Sequence, residues 1–286
     1  MSNLAPKTFK PDTRLVSRVV PAYNSEARRN GARPTFLIMH YTGMLSAEKA
    51  IGWLACAESK VSCHYVIDEL GAITQLVPEK LRAWHAGVSF WKGETDMNSH
   101  SIGIEIQNPG HGHGKGHGNG KGHGHGKGHG HGKGHGDDYP DFPRAQITAV
   151  IALSCDILRR HKLPPQNVLA HSDVAIGRKI DPGEKFPWVR LAREGVGHWV
   201  RPSPLRTGDE GLGSGAMGED IGTAQRLLAE LGYNAVISNE MDSETIKAIR
   251  AFQLHFRPRR ADGRLDRSTL STLQRLVAAL PRGRLA

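Results

Sequence analysis

At 286 residues the chain is long enough for one full-sized domain and a smaller companion. Lysine and arginine exceed aspartate and glutamate by 38 − 28 = 10, which suits a polyanionic partner such as nucleic acid, anionic lipid or an acidic wall polymer. No arginine–aromatic pattern or zinc-finger spacing supports nucleic acid, and no run of about eighteen apolar residues supports a membrane span.

In chain order, the N-terminal MSNLAPKTFKPDTRLVSRVV is basic and lacks the apolar core of a signal peptide, so a cytoplasmic location is the default expectation. Globular texture begins near Thr35. TFLIMHYT reads as a buried strand. SAEKAIGWLAC reads as a helix capped by Ser46, with Ala50, Ile51 and Leu54 on one face. HYVID and ITQLV flank a turn at Gly71 and form a hairpin. In SIGIEIQN the residues Ile102, Ile104 and Ile106 share one face, which sends Gly103 and Glu105 to the other.

Next comes HGHGKGHGNGKGHGHGKGHGHGKGHG, residues 111–136, with eight of the chain's sixteen histidines. Alternate glycines raise the entropy lost on ordering and offer nothing to bury. The tract is expected to be a disordered insertion, cheap because loop-closure entropy grows only logarithmically with length. Labile metal binding or attraction to anionic polymers is compatible with its composition.

PRAQITAVIALSCDILRRH carries Ile147, Val150, Ile151, Ile157 and Leu158 at helical spacing between Pro143 and Pro164-Pro165. VLAHSD reads as a last short strand. Strands and helices interleave, which predicts an α/β domain with a mixed sheet flanked by helices. Residues 201–216, rich in Pro, Gly and Ser, read as a flexible linker spanning roughly 20–24 Å. Three apolar stripes follow: Ile221, Ala224, Leu228 and Leu231; Ile246, Ile249, Phe252 and Phe256; Leu270, Leu273, Val277 and Leu280. With Asp242 and Asp266 as caps they predict a small all-α three-helix domain. The expected organisation is a catalytic domain over residues 1–200 with its insertion at 110–136, a linker at 201–216 and a helical domain at 217–286. Cys56, Cys63 and Cys155 make no disulfide framework and are expected to be buried small side chains.

HSDVAIGRKIDPG places His171, Lys179 and Asp181 on one loop leaving a strand. Imidazole and carboxylate ligands suit Zn²⁺. His40, at the end of FLIMH, is a candidate third ligand, and three protein ligands leave a coordination position open for water. Glu105 is a candidate to carry a proton from that water to a leaving amine, and Lys179 to stabilise an oxyanion. On spacing alone this signal is weak, because a lone histidine ending a strand is usually structural.

MHYT (39–42), SCHYVID (62–68), AWHAG (83–87), SIGIEI (101–106) and AHSDVAIGRKIDPG (170–183) occur in an order that resembles the zinc-dependent N-acetylmuramoyl-L-alanine amidases of the amidase-2 type. The resemblance covers roughly residues 35–190. It implies Zn²⁺ held by His40, His171 and Asp181, catalysis by Glu105 and Lys179, and cleavage of the amide joining N-acetylmuramic acid to L-alanine. It also puts Trp84 and His85 in the substrate cleft and gives His64 a structural part. Cys63 stands where some phage-type relatives have tyrosine, which leaves the base role to Glu105. LLAELGY, TIKAIRAFQ and DGRLDRSTLSTLQ resemble a peptidoglycan-binding domain, which would hold the enzyme on an insoluble polymer. The implied partner is peptidoglycan or a muropeptide. Intact sacculus and recycled anhydro-muropeptide, oligomeric state, and action in the periplasm all stay open at this level.

Overall fold

The computed structural model describes residues 8–111 and 139–281. Residues 112–138 hold all but the first histidine of the Gly-His-Lys tract, so its expected disorder lies outside the described residues. The strands are β1 (Arg18–Val19), β2 (Ser25–Ala27), β3 (Phe36–Tyr41), β4 (Tyr65–Ile67), β5 (Ile73–Gln75), β6 (Leu81–Ala83), β7 (Ser101–Ile106) and β8 (Val168–Ala170). The helices are α1 (Ala47–Ala55), α2 (Met97–His100), α3 (Arg144–His161), α4 (His171–Val174), α5 (Trp188–Arg193), α6 (Glu219–Leu231), α7 (Ser243–Phe256) and α8 (Arg267–Ala278).

A six-stranded mixed sheet runs in the order β1-β5-β4-β7-β3-β8, as the interleaved pattern predicts. Within it only β4 and β5 pair antiparallel, across the turn where Gly71 takes a positive φ of 88°, and β2 and β6 form a separate antiparallel pair. The other pairings are parallel. The parallel centre is buried on both faces, which explains the continuous apolar runs of β3 and β7. Leu37, Met39, Ile102, Ile104 and Ile106 pack on Ile147, Val150, Leu153 and Ile157 of α3. Val66, on the opposite face, meets Ile51 and Leu54 of α1. The side chain of Ser46 caps α1 by accepting from the Lys49 backbone N–H.

Three features differ from the sequence reading. The sheet begins well before Thr35, because Arg18 and Val19 pair with Thr74 and Gln75 as its edge. Two residues carry no detectable period, so β1 is invisible to pattern. His171 opens α4 instead of continuing a strand, since the carboxylate of Asp173 turns back to accept the Ala170 N–H at 2.8 Å. Of the three free cysteines only Cys63 is fully buried, and Cys155 is exposed.

The helical layer joins the sheet directly. Phe36, Ile38, Leu169 and Val174 share one apolar cluster with Ile221, Leu228, Ile249, Phe252 and Leu273. Leu276 belongs to the buried stripe of α8, whereas Leu270 and Val277 sit at its margin, a small rotation from the expected face. The flexible span expected of residues 201–216 is replaced by a docked path. Ser203 N donates to Thr272 Oγ1 at 2.9 Å, Arg275 donates to the Arg201 carbonyl, and Leu212 bridges Leu265. Polar side chains on α8 satisfy the segment's backbone, which composition cannot reveal.

Asp173 ties the two parts together. Its buried carboxylate accepts the Tyr233 hydroxyl at 2.6 Å and the His255 Nδ1–H at 2.6 Å. The His255 ring stacks between Trp188 and Phe256, with ring centroids 3.8 Å away on each side. Tyr233→Phe leaves the Asp173 carboxylate buried with one donor fewer and is expected to cost about 1–3 kcal/mol. Chemical denaturation of the full chain checks this; an unchanged midpoint would show that the contact contributes nothing.

Candidate metal centre and active site

His40 ends the buried run of β3, and sheet register decides what stands beside it. His40 pairs with Glu105 on β7, and Met39 pairs with Ala170 on β8, so His171 follows at the same level. Paired residues of parallel strands point to the same face. Three functional side chains therefore converge at the carboxyl ends of neighbouring strands, the usual location of a crevice in such sheets. Asp181 arrives from the loop after α4, where its carbonyl accepts the Ser172 N–H at 3.0 Å.

His40 Nδ1 lies 2.9 Å from His171 Nδ1 and 3.2 Å from Asp181 Oδ2, and His171 Nδ1 lies 3.0 Å from the same oxygen. Ligand atoms about 2.0–2.1 Å from a tetrahedral zinc would be separated by about 3.3 Å. The triangle is thus within a few tenths of an ångström of what a shared ion requires. Among the described residues this is the cluster of three ligating side chains whose atoms all lie within 4.8 Å of one another. All three side chains are buried.

Electrostatics favour the ligating forms. Burial, reinforced by His171, pushes His40 down to about 4, so its imidazole is neutral at ordinary pH. Burial opposes ionisation of Asp181, but the two imidazoles outweigh it and hold the carboxyl well below its usual range. The other nitrogen of each imidazole turns away from the cluster to a partner of its own. His171 Nε2 donates to the Ala86 carbonyl at 3.2 Å, and His40 Nε2 meets His85 Nδ1 at 3.0 Å.

Glu105 is half-buried, and its Oε2 is a buried oxygen with no hydrogen-bond partner among the described residues. Burial, then the negative charge of Asp181, raises its carboxyl well above the usual value, and Lys179 works in the opposite direction. Lys179 is exposed and lies close enough to act electrostatically on both Glu105 and His40. The thiol of Cys63 is fully buried, donates to the Tyr65 carbonyl at 3.2 Å, and is pushed up by burial. It is inert as a base.

The AWHAG residues divide. Trp84 is half-buried, with its indole N–H lacking a partner among the described residues. His85 is only 8% exposed, with Nδ1 on His40 and Nε2 on Ser101 Oγ at 3.2 Å. Both of its nitrogens have partners within the protein. His64 has the structural part expected, accepting the Gly103 N–H at 3.0 Å. His111, the first histidine of the tract, donates from Nε2 to Glu184 at 2.9 Å and accepts the Tyr41 hydroxyl at 3.2 Å. Its ring lies 4.5 Å from that of Tyr139, so the two flanks of the tract meet beside the residue following His40.

The N-acetylmuramoyl-L-alanine amidase family profile matches residues 30–184, and a peptidoglycan binding domain profile matches residues 217–273. The N-acetylmuramoyl-L-alanine amidase AmiD of Escherichia coli is 36% identical over 269 residues, which are 89% of this chain and 88% of that protein. This chain belongs to the N-acetylmuramoyl-L-alanine amidase family.

Solved structures agree on the amidase fold. That of E. coli AmiD in complex with anhydro-N-acetylmuramic acid-L-Ala-D-gamma-Glu-L-Lys has a TM-score of 0.67 at 33% identity, covering 88% of this chain and 92% of that one. AmpDh3 from Pseudomonas aeruginosa has a TM-score of 0.63 at 30% identity, covering 90% and 96%. The amidase hydrolyses the bond between N-acetylmuramic acid and L-alanine in peptidoglycan or muropeptides. Among the described residues no helix is long and apolar enough to cross a membrane.

Sequence reasoning gave no role to Ala86, Asn98, Ser101 and Arg178, which surround the centre through a backbone carbonyl, short polar side chains and, for Arg178, a guanidinium. Gly103 carried a usable signal, being a glycine inside a strand. A Cβ there would lie 2.6 Å from the ring of His85. Gly103→Ala is expected to cost about 1–3 kcal/mol through overpacking. Gly52→Ala, in open space on α1, should be neutral or stabilising. Thermal melts of the pair check this, and equal midpoints would refute the close approach.

Proposed function

We propose that the amidase works through a Zn²⁺ held by His40 Nδ1, His171 Nδ1 and Asp181 Oδ2, with Glu105 and Lys179 acting on the substrate amide. The observation that carries this is the convergence of three lone-pair atoms on one point beside a carboxylate whose free oxygen lacks a partner. Bound there, zinc would lower the pKa of a coordinated water towards about 7 and polarise the amide carbonyl.

The chain's own residues supply the rest. Glu105 accepts a proton from the attacking water and delivers it to the nitrogen of the leaving L-alanine, so that the amine departs neutral. Its raised affinity for a proton suits that shuttle. The Lys179 ammonium offsets negative charge developing on the carbonyl oxygen. Trp84, half-buried, forms part of the wall against which the substrate lies. The helical domain holds the enzyme on wall polymer. Since it is docked on the sheet, it presents that polymer from a fixed direction.

Release of free stem peptide from sacculi and from anhydro-muropeptides, with and without a chelator, tests the reading; activity that survives complete metal removal would overturn it. Glu105→Ala is expected to retain zinc by elemental analysis while losing about 10²–10⁴-fold in turnover. Full turnover would mean the proton carrier lies elsewhere. Asp181→Ala should lose both zinc and activity. A metal-replete, active variant would remove Asp181 from the ligand set.

A further inference from the structure

We infer that His85 and the Ala86 carbonyl are positioning groups of the metal centre, which together decide which nitrogen of each imidazole ligand is bare. This rests on reading His40, His171 and Asp181 as ligands, and extends it to a segment expected to face substrate.

The Met97 carbonyl takes the single hydroxyl proton of Ser101. Ser101 Oγ then has only lone pairs to offer His85, so His85 Nε2 donates to it at 3.2 Å. A neutral imidazole that donates from Nε2 has a bare Nδ1. That nitrogen accepts the proton of His40 Nε2 at 3.0 Å, which leaves His40 Nδ1 bare and directed at His171 and Asp181. A backbone carbonyl thereby sets a ligand's tautomer through two intervening side chains.

The second imidazole is set by the adjacent residue. The Ala86 carbonyl accepts His171 Nε2–H at 3.2 Å, so His171 Nδ1 is bare as well. The segment that presents both acceptors is clamped on two sides. Asn98 Oδ1 accepts the backbone N–H groups of His85 and Ala86 at 2.9 and 2.8 Å. Arg178 donates to the carbonyls of Ala86 and Val88. Gly103 provides the space in which the His85 ring lies. Without these acceptors each ligand imidazole would sample both tautomers. The wrong one puts an N–H against a neighbouring ligand nitrogen only 2.9 Å away. Partners of this kind are worth about 10–100-fold in metal affinity elsewhere.

The test uses the full chain and zinc alone, measured by competition with a colorimetric chelator at fixed pH. His85→Leu, which keeps bulk but removes the acceptor, is expected to weaken zinc binding about 10–100-fold. His85→Asn, whose Oδ1 reaches the place of Nδ1, should recover most of that loss, and Ser101→Ala should show part of it. Wild-type zinc affinity in a folded His85→Leu or Ser101→Ala chain would overturn the proposal. Side-chain ¹⁵N spectra of the metal-free wild type need no variant to fold: His40 and His171 should both carry the proton on Nε2, and a proton on either Nδ1 overturns the assignment. With zinc saturating, a raised KM for His85→Leu and unchanged metal affinity would return His85 to the substrate cleft. His40→Ala separates the two readings. If it binds zinc as tightly as wild type, the metal centre itself is misassigned; if it loses zinc while His85→Leu does not, only the positioning role falls.

Discussion

Three electron-pair donors point at one another across about 3 Å in a buried place, and little else in the protein makes sense without that convergence. His40 Nδ1, His171 Nδ1 and Asp181 Oδ2 are the donor set that the proposed zinc would share, and buried polar groups of the surrounding segments hold them in place. The sheet's parallel register brings His40, Glu105 and His171 to one edge. The cap at Asp173 starts α4 at the residue where a ligand is needed. The 85–86 segment turns the spare imidazole nitrogens outward.

The same constraint gives the helical domain a second part. Asp173 lies two residues after His171 and receives two of its hydrogen bonds from Tyr233 and His255. The domain that matches the peptidoglycan binding profile thus also braces the short helix that carries His171. A flexible tether would raise local substrate concentration but leave orientation free. A docked domain sharing an apolar cluster with β3 and β8 fixes orientation as well. The activity and the grip on the wall are therefore properties of one packed body among the described residues.

Half of the chain's histidines lie within residues 111–136, whereas among the described residues the ligand-like geometry belongs to His40 and His171, which stand in ordinary apolar context. An open coordination site needs fixed angles, and in these two residues the angles come from packed secondary structure. His111, the tract's first histidine, has defined partners in Tyr41 and Glu184.

The amino-acid sequence by itself determined the elements with strong periodicity: β3, β7, α3 and the three C-terminal helices, because burial of one face imposes period two or 3.6 on side-chain choice. It also pointed to the chemistry, since an ordered set of motifs named His40, His171, Asp181 and Glu105 as candidates, and the first three converge. Tertiary structure alone decided the short pieces, β1 and β2, which are too brief to show a period. It alone decided that residues 201–203 lie on α8 while Leu212 pairs with Leu265, and that His85 Nδ1 lies against His40 Nε2. The reason is common to all of these. Each depends on a partner distant in the chain whose contribution is a backbone carbonyl, a hydroxyl or empty space, and such partners leave no spacing signature in a linear string.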